Sequence, residues 1–166
     1  MRCLMFRVGL LTVSDKGAAG ERQDTAGPAL RDLLDPRCFA VSHYNIVPDE
    51  YEQLVAALVS WSDEAGLDLI LTAGGTGPSP RDLTPEATLA VAERLVPGIA
   101  EAMRAAGLAH TPHAMLSRGV AAIRGRTLII NLPGSEKGAT QSLEAILPAL
   151  PHALEKLKGS PADCGA

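Results

Sequence analysis

The stretch LILTAGGTGPSPRDLTPE, residues 69–86, decides the fold class of this chain. Its first four residues are apolar or β-favouring and predict a short strand that is buried on both faces. A glycine-rich run, residues 73–77, follows at once. Thr84-Pro85-Glu86 then predicts a helix start, because it combines a capping hydroxyl, a proline at the first position and an acid in the first turn. A strand that passes through a glycine loop into a helix is typical of an α/β protein.

Strand and helix patterns alternate on both sides of this stretch. Strands are predicted over residues 6–14, 39–47, 69–72, 119–123 and 127–132, and residues 15–23 are predicted to be a loop. Helices are predicted after Asp24 as N-cap, up to Gly66, from Thr84, from Pro97 to Gly107, and beyond Ser135 with breaks at two later prolines. The pair around Gly125 is joined too tightly for a crossover, so part of the sheet should be antiparallel. We therefore predict a three-layer α/β/α fold with a mostly parallel, mixed central sheet.

Length and composition limit the classes of protein that fit. The chain has 166 residues, 46% of them hydrophobic and 20% charged, which predicts one globular domain over residues 1–159 with a flexible tail over 160–166. The net charge of −4 argues against a nucleic-acid partner. No window approaches 18 uninterrupted apolar residues, so no membrane span is expected. Cys3, Cys38 and Cys164 are odd in number and lack zinc spacing, which predicts no disulfide framework, a reducing compartment and a cytoplasmic location.

Glycine-rich turns follow two of the predicted strands. Residues 74–77 read Gly-Gly-Thr-Gly, and residues 133–135 read Pro-Gly-Ser. Glycine lets the backbone turn sharply and brings N–H groups close to an anion. Ligands of open α/β sheets collect at the carboxyl ends of the strands, so these turns predict a site for a phosphorylated ligand there. A plain strand-to-helix turn is the alternative interpretation.

Two aspartates also lie just past predicted strand ends. Asp49 and Asp82 supply the hard oxygen ligands that suit Mg²⁺, which takes one or two carboxylates together with substrate phosphates. Alternatively, Asp49 caps the helix that begins near Glu50, and Asp82 is a turn residue that pairs with Arg81. The charges of Asp15, Lys16 and Lys137 could equally be solvated loop charges.

Six segments in order resemble the MoaB/Mog family of molybdenum-cofactor biosynthesis proteins, from about residue 7 to about residue 159. They are residues 11–15 (LTVSD), 47–50 (VPDE), 72–78 (TAGGTGP), 81–88 (RDLTPEAT), 115–118 (MLSR) and 131–135 (NLPGS). The run from the glycines to Arg81-Asp82-Leu83-Thr84-Pro85 is the most specific part. Ala73 stands where many relatives carry a hydroxyl residue.

The resemblance implies an α/β/α domain, usually trimeric, that binds molybdopterin; gephyrin carries a similar domain. In the family's catalytic branch, molybdopterin adenylyltransferase joins AMP from ATP to the terminal phosphate of molybdopterin and releases pyrophosphate. The product is passed to a molybdate-inserting enzyme. The family's two acidic positions fall on Asp49 and Asp82, as catalytic residues and Mg²⁺ ligands. Its substrate-binding positions fall on Thr12, Ser14, Asp15, Gly74, Gly75, Thr76, Gly77, Ser117, Asn131, Pro133, Gly134 and Ser135.

Three functions remain open at this point. The acid pair favours the enzyme, since a passive binder of an anionic ligand gains nothing from extra carboxylates without a metal. A non-catalytic molybdopterin-binding carrier or scaffold trimer is the alternative, because one fold can host several functions. A generic nucleotide-binding domain is weaker, since the common phosphate-binding motifs are absent.

Overall fold

The fold is built on one six-stranded sheet with the strand order β2-β1-β3-β6-β5-β4. The computed structural model describes residues 4–161. The strands are β1 Phe6–Val13, β2 Phe39–Val47, β3 Leu69–Ala73, β4 Arg94–Leu95, β5 Ala121–Arg124 and β6 Thr127–Leu132. β2, β1, β3 and β6 run parallel, whereas β5 is antiparallel to both β6 and β4. The predicted mixed, mostly parallel sheet is therefore confirmed.

Seven helices are present within the part of the chain that the structure describes; the first five lie between strands, and the last two follow β6. They are α1 Asp15–Ala18, α2 Ala26–Leu33, α3 Tyr51–Val59, α4 Thr84–Val91, α5 Pro97–Leu108, α6 Glu136–Ile146 and α7 Leu150–Leu157. A π-helical turn, Ser60–Glu64, extends α3, and 3-10 turns cover Pro112–Leu116 and Leu147–Ala149. The 3-10 turn at Leu147–Ala149 separates α6 from α7, as the two prolines in this region predicted.

The core consists of two apolar clusters, one on each face of the sheet. Leu69 and Leu71 of β3 join the cluster that includes buried residues of α2, α5, α6 and α7. Ile70, which lies between them in sequence, joins the cluster with α3 and α4. Successive strand residues point to opposite faces, so a strand between two helical layers must be apolar throughout. All five residues of β3 are buried, which confirms the three-layer arrangement.

Two local predictions need correction. Residues 15–23 were expected to form a loop on account of two glycines, but Asp15–Ala18 forms one helical turn because the Ser14 hydroxyl accepts a hydrogen bond from the Gly17 N–H at 3.0 Å. Thr84 does not cap α4. The residue before that helix is Leu83, and the Thr84 hydroxyl is buried without a hydrogen-bond partner among the described residues.

The prediction about the cysteines was wrong for Cys38, which is disulfide-bonded. The number and spacing of cysteines along the chain do not report how far apart they lie in the fold. Cys3 and Cys164 lie outside the described residues, as does the predicted tail beyond Pro161. Within residues 4–161, none of the helices has the length and apolar character that crossing a membrane requires.

Candidate functional site

The loops at the carboxyl ends of β1, β2, β3 and β6 surround a cavity of about 560 Å³. Parallel strands bring the loops that follow them to the same sheet edge, which is where ligands of such folds bind. Most of the predicted site residues line this cavity: Thr12, Ser14, Asp49, Gly74, Gly75, Asp82, Gly134 and Ser135. We call it the acidic cavity.

Glycines allow the backbone segments around the acidic cavity to pack closely. Gly74 has a φ of +116°, and a Cβ there would lie 2.2 Å from the Val13 carbonyl oxygen. Gly75 has a φ of +65°, and its Cβ would lie 2.2 Å from the Thr84 hydroxyl oxygen. Any larger residue would be strained in its backbone and would also collide with its neighbours. The sequence therefore needs glycine at both positions to build this wall.

Asp49 is held at the cavity by the loop that follows β1. Its carboxylate accepts a hydrogen bond from the Asp15 N–H at 3.1 Å, and its own N–H donates to the Asp15 carboxylate at 3.0 Å. The Arg81 guanidinium donates two hydrogen bonds to Asp15, at 2.7 and 2.9 Å, and a third to Glu50 at 3.0 Å. Three loops are thereby joined, and Asp15 is engaged with Arg81.

The electrostatics of the acidic cavity distinguish these aspartates. Burial raises the pKa of Asp49, and the negative charges of Asp15 and Asp82 raise it further, against the hydrogen bond from the Asp15 N–H. By contrast, hydrogen bonds from Arg81 lower the pKa of Asp15. The Asp82 carboxylate accepts a hydrogen bond from the Ser79 N–H at 3.0 Å. Asp49 and Asp82 therefore line one cavity, and the negative charge of Asp82 contributes to the raised pKa of Asp49.

A second cavity, of about 370 Å³, adjoins the first through Gly134 and Ser135, which line both. Five further predicted residues are found here, Thr76, Gly77, Ser117, Asn131 and Pro133, whereas Asp15 lines neither cavity. The lining also includes Met103 and Leu116, so this cavity has a more apolar wall. We call it the apolar cavity. Two adjoining cavities of different character offer places for two different ligands.

Several predicted residues have their side chains engaged by the protein itself. Ser14 and Ser135 accept hydrogen bonds from Gly17 and Gly138 and cap α1 and α6. Asn131 is 1% exposed; it donates to the hydroxyls of Thr72 and Thr88 at 3.1 and 2.9 Å. The exposed side chains of Lys16 and Lys137 are free to reach solvent. Through its hydrogen bonds to Thr72 and Thr88, Asn131 also links β3, α4 and β6.

Asp24 is a cavity residue whose place in the sequence indicated only an N-cap. One carboxylate oxygen accepts from the N–H groups of Ala26 and Gly27, as a cap does. The other accepts from the hydroxyls of Thr12, at 2.8 Å, and Tyr44. The hydrogen bond from Thr12 was not predictable, because it depends on how the loop returns to β1. Arg22, which also lines the acidic cavity, carried no signal beyond its place in that loop.

The donor set of the acidic cavity suits a magnesium ion bound through substrate. Among residues 4–161, no group of three or more His, Cys, Asp and Glu side chains is arranged to hold a metal ion. Asp49 and Asp82 supply two carboxylates, and Mg²⁺ usually combines one or two carboxylates with substrate phosphates and water. The two aspartates fit a divalent cation that arrives with a phosphorylated ligand.

The chain is similar to known proteins over most of its length. A family model described as "Probable molybdopterin binding domain" matches residues 9–152. A molybdopterin adenylyltransferase of Helicobacter pylori is 42% identical over 93% of this chain and 89% of the relative. Gephyrin of Dictyostelium discoideum is 42% identical over 93% of this chain and 23% of the relative.

Solved structures show the same relationship. The crystal structure of the molybdopterin biosynthesis enzyme MoaB from Thermus thermophilus superposes with a TM-score of 0.90 at 60% sequence identity. The superposition covers 96% of this chain and all of that one. Together with the sheet order and the glycine-walled acidic cavity, the family match and these relatives show that the chain belongs to the molybdopterin-binding domain family of molybdenum-cofactor biosynthesis.

Proposed function

We propose that this chain is a molybdopterin adenylyltransferase, which transfers AMP from ATP to the terminal phosphate of molybdopterin and releases pyrophosphate. The observation that carries this proposal is the meeting of Asp49 and Asp82 at a cavity whose wall is glycine backbone. The names of the relatives support the same activity. The adjoining apolar cavity provides the space that a second substrate requires.

The residues explain how the reaction could be accelerated. The attacking group is a phosphate oxygen that is already ionised, so little general-base help is needed. Repulsion between two anionic substrates is the main obstacle. A Mg²⁺ ion held by Asp49 and Asp82 would neutralise triphosphate charge when bound. The glycine backbone at Gly74 and Gly75 lets phosphate oxygens approach the peptide groups closely.

Positioning supplies the rest of the proposed catalysis. Gly134 and Ser135 line both cavities, so we expect them to contact both substrates at the junction where the new bond would form. Thr12 and Ser14 contribute to the wall of the acidic cavity, and Thr76, Gly77 and Ser117 to the wall of the apolar cavity. Holding the two reactants in line converts a bimolecular step into an effectively unimolecular one.

One experiment tests the activity. Purified protein is incubated with molybdopterin, ATP and Mg²⁺, and pyrophosphate release is followed together with molybdopterin binding. Release that requires both substrates supports the adenylyltransferase. Binding of molybdopterin without release would instead identify a carrier or scaffold protein, and hydrolysis of ATP without molybdopterin would contradict both functions.

The same proposal extends to assembly and setting. We expect a single functional domain over residues 1–159 that forms a homotrimer, works in the cytoplasm where ATP is supplied, and hands its product to a molybdate-inserting enzyme. Exposed apolar side chains support self-association: Leu108, Met115 and Leu116 are 48%, 62% and 51% exposed at the end of α5 and the 3-10 turn after it. Sedimentation equilibrium would measure the trimer, and a monomer at micromolar concentration would contradict it.

A further inference from the structure

Arg118 makes an unusual set of contacts beside the acidic cavity. It follows Ser117 in the segment between the 3-10 turn and β5. Its side chain is 38% exposed and lies outside the linings of both cavities. Its backbone N–H donates to the Thr76 carbonyl at 2.8 Å, which fastens this segment to the glycine loop. Arg118 therefore touches the structure that carries the site without lining either cavity.

The guanidinium of Arg118 contacts both ends of the loop over residues 77–82. Its Nε donates to the Gly77 carbonyl at 2.8 Å, and its Nη2 donates to the Asp82 carbonyl. Its Nη1 donates to the carboxylate of Glu86 on α4. The planar fork of arginine presents several N–H donors in fixed directions, which a lysine ammonium cannot reproduce. One side chain thus sets the distance between the first and last residues of this loop.

This loop carries the carboxylate of Asp82 and has few other supports. Pro78, Ser79 and Pro80 are exposed. Inside the loop, the Ser79 N–H donates to the Asp82 carboxylate at 3.0 Å, and the Asp82 N–H donates to the Ser79 carbonyl at 2.9 Å. These internal bonds shape the turn but do not attach it to the sheet. Attachment comes from Arg118 at the two ends and from Arg81, which reaches Asp15 and Glu50.

We propose that Arg118 is a positioning residue, which fixes both ends of the loop over residues 77–82 and so holds the Asp82 carboxylate at the acidic cavity. Glu86 assists by holding the guanidinium from α4. The proposal rests on the proposed function, since it assigns Arg118 a part in the same reaction. The structural part of the proposal, that Arg118 attaches this loop, applies to any ligand of the acidic cavity.

Arg118→Lys tests the proposal with the charge retained. We expect turnover to fall roughly 10²-fold, the scale that a small misplacement of a catalytic group costs. The KM for molybdopterin should stay within about twofold of wild type, because Arg118 lies outside both cavities, whereas half-maximal activity should require more Mg²⁺. Arg118→Ala should regain part of its turnover when guanidinium is added at millimolar concentration.

Arg124→Lys is the matched control. Arg124 also donates to one carboxylate, that of Asp63, and to one backbone carbonyl, that of Val91. It lies away from both cavities, so its replacement should leave turnover and the Mg²⁺ requirement unchanged. Equal effects of the two replacements on turnover would show that Arg118 acts through general stability and would overturn the proposal.

Hydrogen exchange separates this proposal from the proposed function. In Arg118→Lys, the amides of Ser79 and Asp82 should exchange faster than in wild type, while the amides of β3 keep their protection. This result is expected whether or not the wild-type protein releases pyrophosphate. If wild type is active and both exchange and turnover are unchanged in Arg118→Lys, the proposal fails on its own. If wild type is inactive, the proposed function fails instead.

Discussion

The backbone N–H groups of Asp15 and Asp49 each donate a hydrogen bond to the carboxylate of the other residue, at 3.1 and 3.0 Å. This exchange joins the loop after β1 to the loop after β2. Arg81 pairs with Asp15, which lowers the pKa of that carboxyl, while burial raises the pKa of Asp49. Two neighbouring carboxylates thus have different tasks: Asp15 is an anchor, and Asp49 is left to face the cavity.

Asp49→Asn should separate activity from stability. Turnover should fall roughly 10²-fold, the usual scale for one lost transition-state contact. In wild type the folded-state pKa of Asp49 lies above the ordinary value of 3.8, so the folded protein binds more protons in the window above 3.8. The free energy of unfolding contributed by this group therefore falls as the pH rises through that window. Asp49→Asn should lose this pH dependence, which urea titrations at several pH values would measure.

Asp35→Asn provides a control of opposite sign. Hydrogen bonds from Arg37 lower the pKa of Asp35 to about 2. Asp35 therefore contributes stability that is present above 3.8 and is lost as the pH falls towards 2. Its replacement should leave turnover unchanged. If Asp49→Asn were less stable than wild type at neutral pH, that result would contradict a raised pKa for Asp49.

Asp82→Asn should keep the fold and much of the molybdopterin affinity. Because the asparagine oxygen still accepts from the Ser79 N–H, the turn is expected to survive, but the negative charge is gone. We expect turnover to fall roughly 10²-fold or more. The loss should be greatest at limiting Mg²⁺, and steady-state pyrophosphate release over a Mg²⁺ series measures it. Undiminished turnover at limiting Mg²⁺ would remove Asp82 from the mechanism.

The sequence predicted the layers of this fold well because its signals there are local. The run at residues 69–72 is apolar or β-favouring at every position, as a strand covered on both faces requires, and all of β3 is buried. Glycine loops and aspartates that follow strand ends could also be recognised as site candidates, because the loops after parallel strands all lie at one edge of the sheet. The acidic cavity was therefore predictable from residues far apart in the chain.

Long-range side-chain contacts were not predictable in the same way. Asp24 resembled an ordinary cap, and its contacts with Thr12 and Tyr44 depend on loop geometry that no periodicity encodes. The two-residue strand β4 carries too little pattern to be recognised, and both its residues are exposed. Thr84 resembled a helix cap in the sequence, but it is the first residue of α4, and Leu83 is the N-cap residue.

Asn131→Ala tests whether this residue serves the fold or the ligand. The buried amide donates to Thr72 and Thr88 and accepts from the Val120 N–H at 3.2 Å. Its removal leaves these groups unpaired, which should lower the free energy of unfolding by about 3 kcal/mol. Urea unfolding measures this loss. Asn45→Ala, on the exposed surface of β2, should change stability by less than about 0.5 kcal/mol.

A different outcome would assign Asn131 to the ligand. If Asn131→Ala unfolds at the same urea concentration as wild type but no longer binds molybdopterin, its amide contacts the substrate directly. If stability is reduced but molybdopterin binding is retained, Asn131 supports the wall of the apolar cavity and does not contact the substrate.

Gly75→Ala should disturb the wall of the acidic cavity in two ways. A φ of +65° costs an alanine roughly 1–2 kcal/mol, and its Cβ would collide with the Thr84 hydroxyl. The sum should lower the free energy of unfolding by at least about 2 kcal/mol. Gly125→Ala is the matched control, because its φ is +55° with nothing within 4 Å, so only the backbone strain applies.

A second replacement isolates the collision from the strain. The Thr84 hydroxyl has no hydrogen-bond partner within the described part of the chain, so Thr84→Ala removes the obstacle without breaking a bond. Combined with Gly75→Ala, it should restore about 1 kcal/mol relative to the sum of the two single changes, since residues in contact couple on that scale. Turnover should stay low in both the single and the double change, because the new Cβ would lie 3.2 Å from the Asp49 carboxylate whether or not the Thr84 hydroxyl is present. Strictly additive single and double changes in urea unfolding would show that the two groups do not meet.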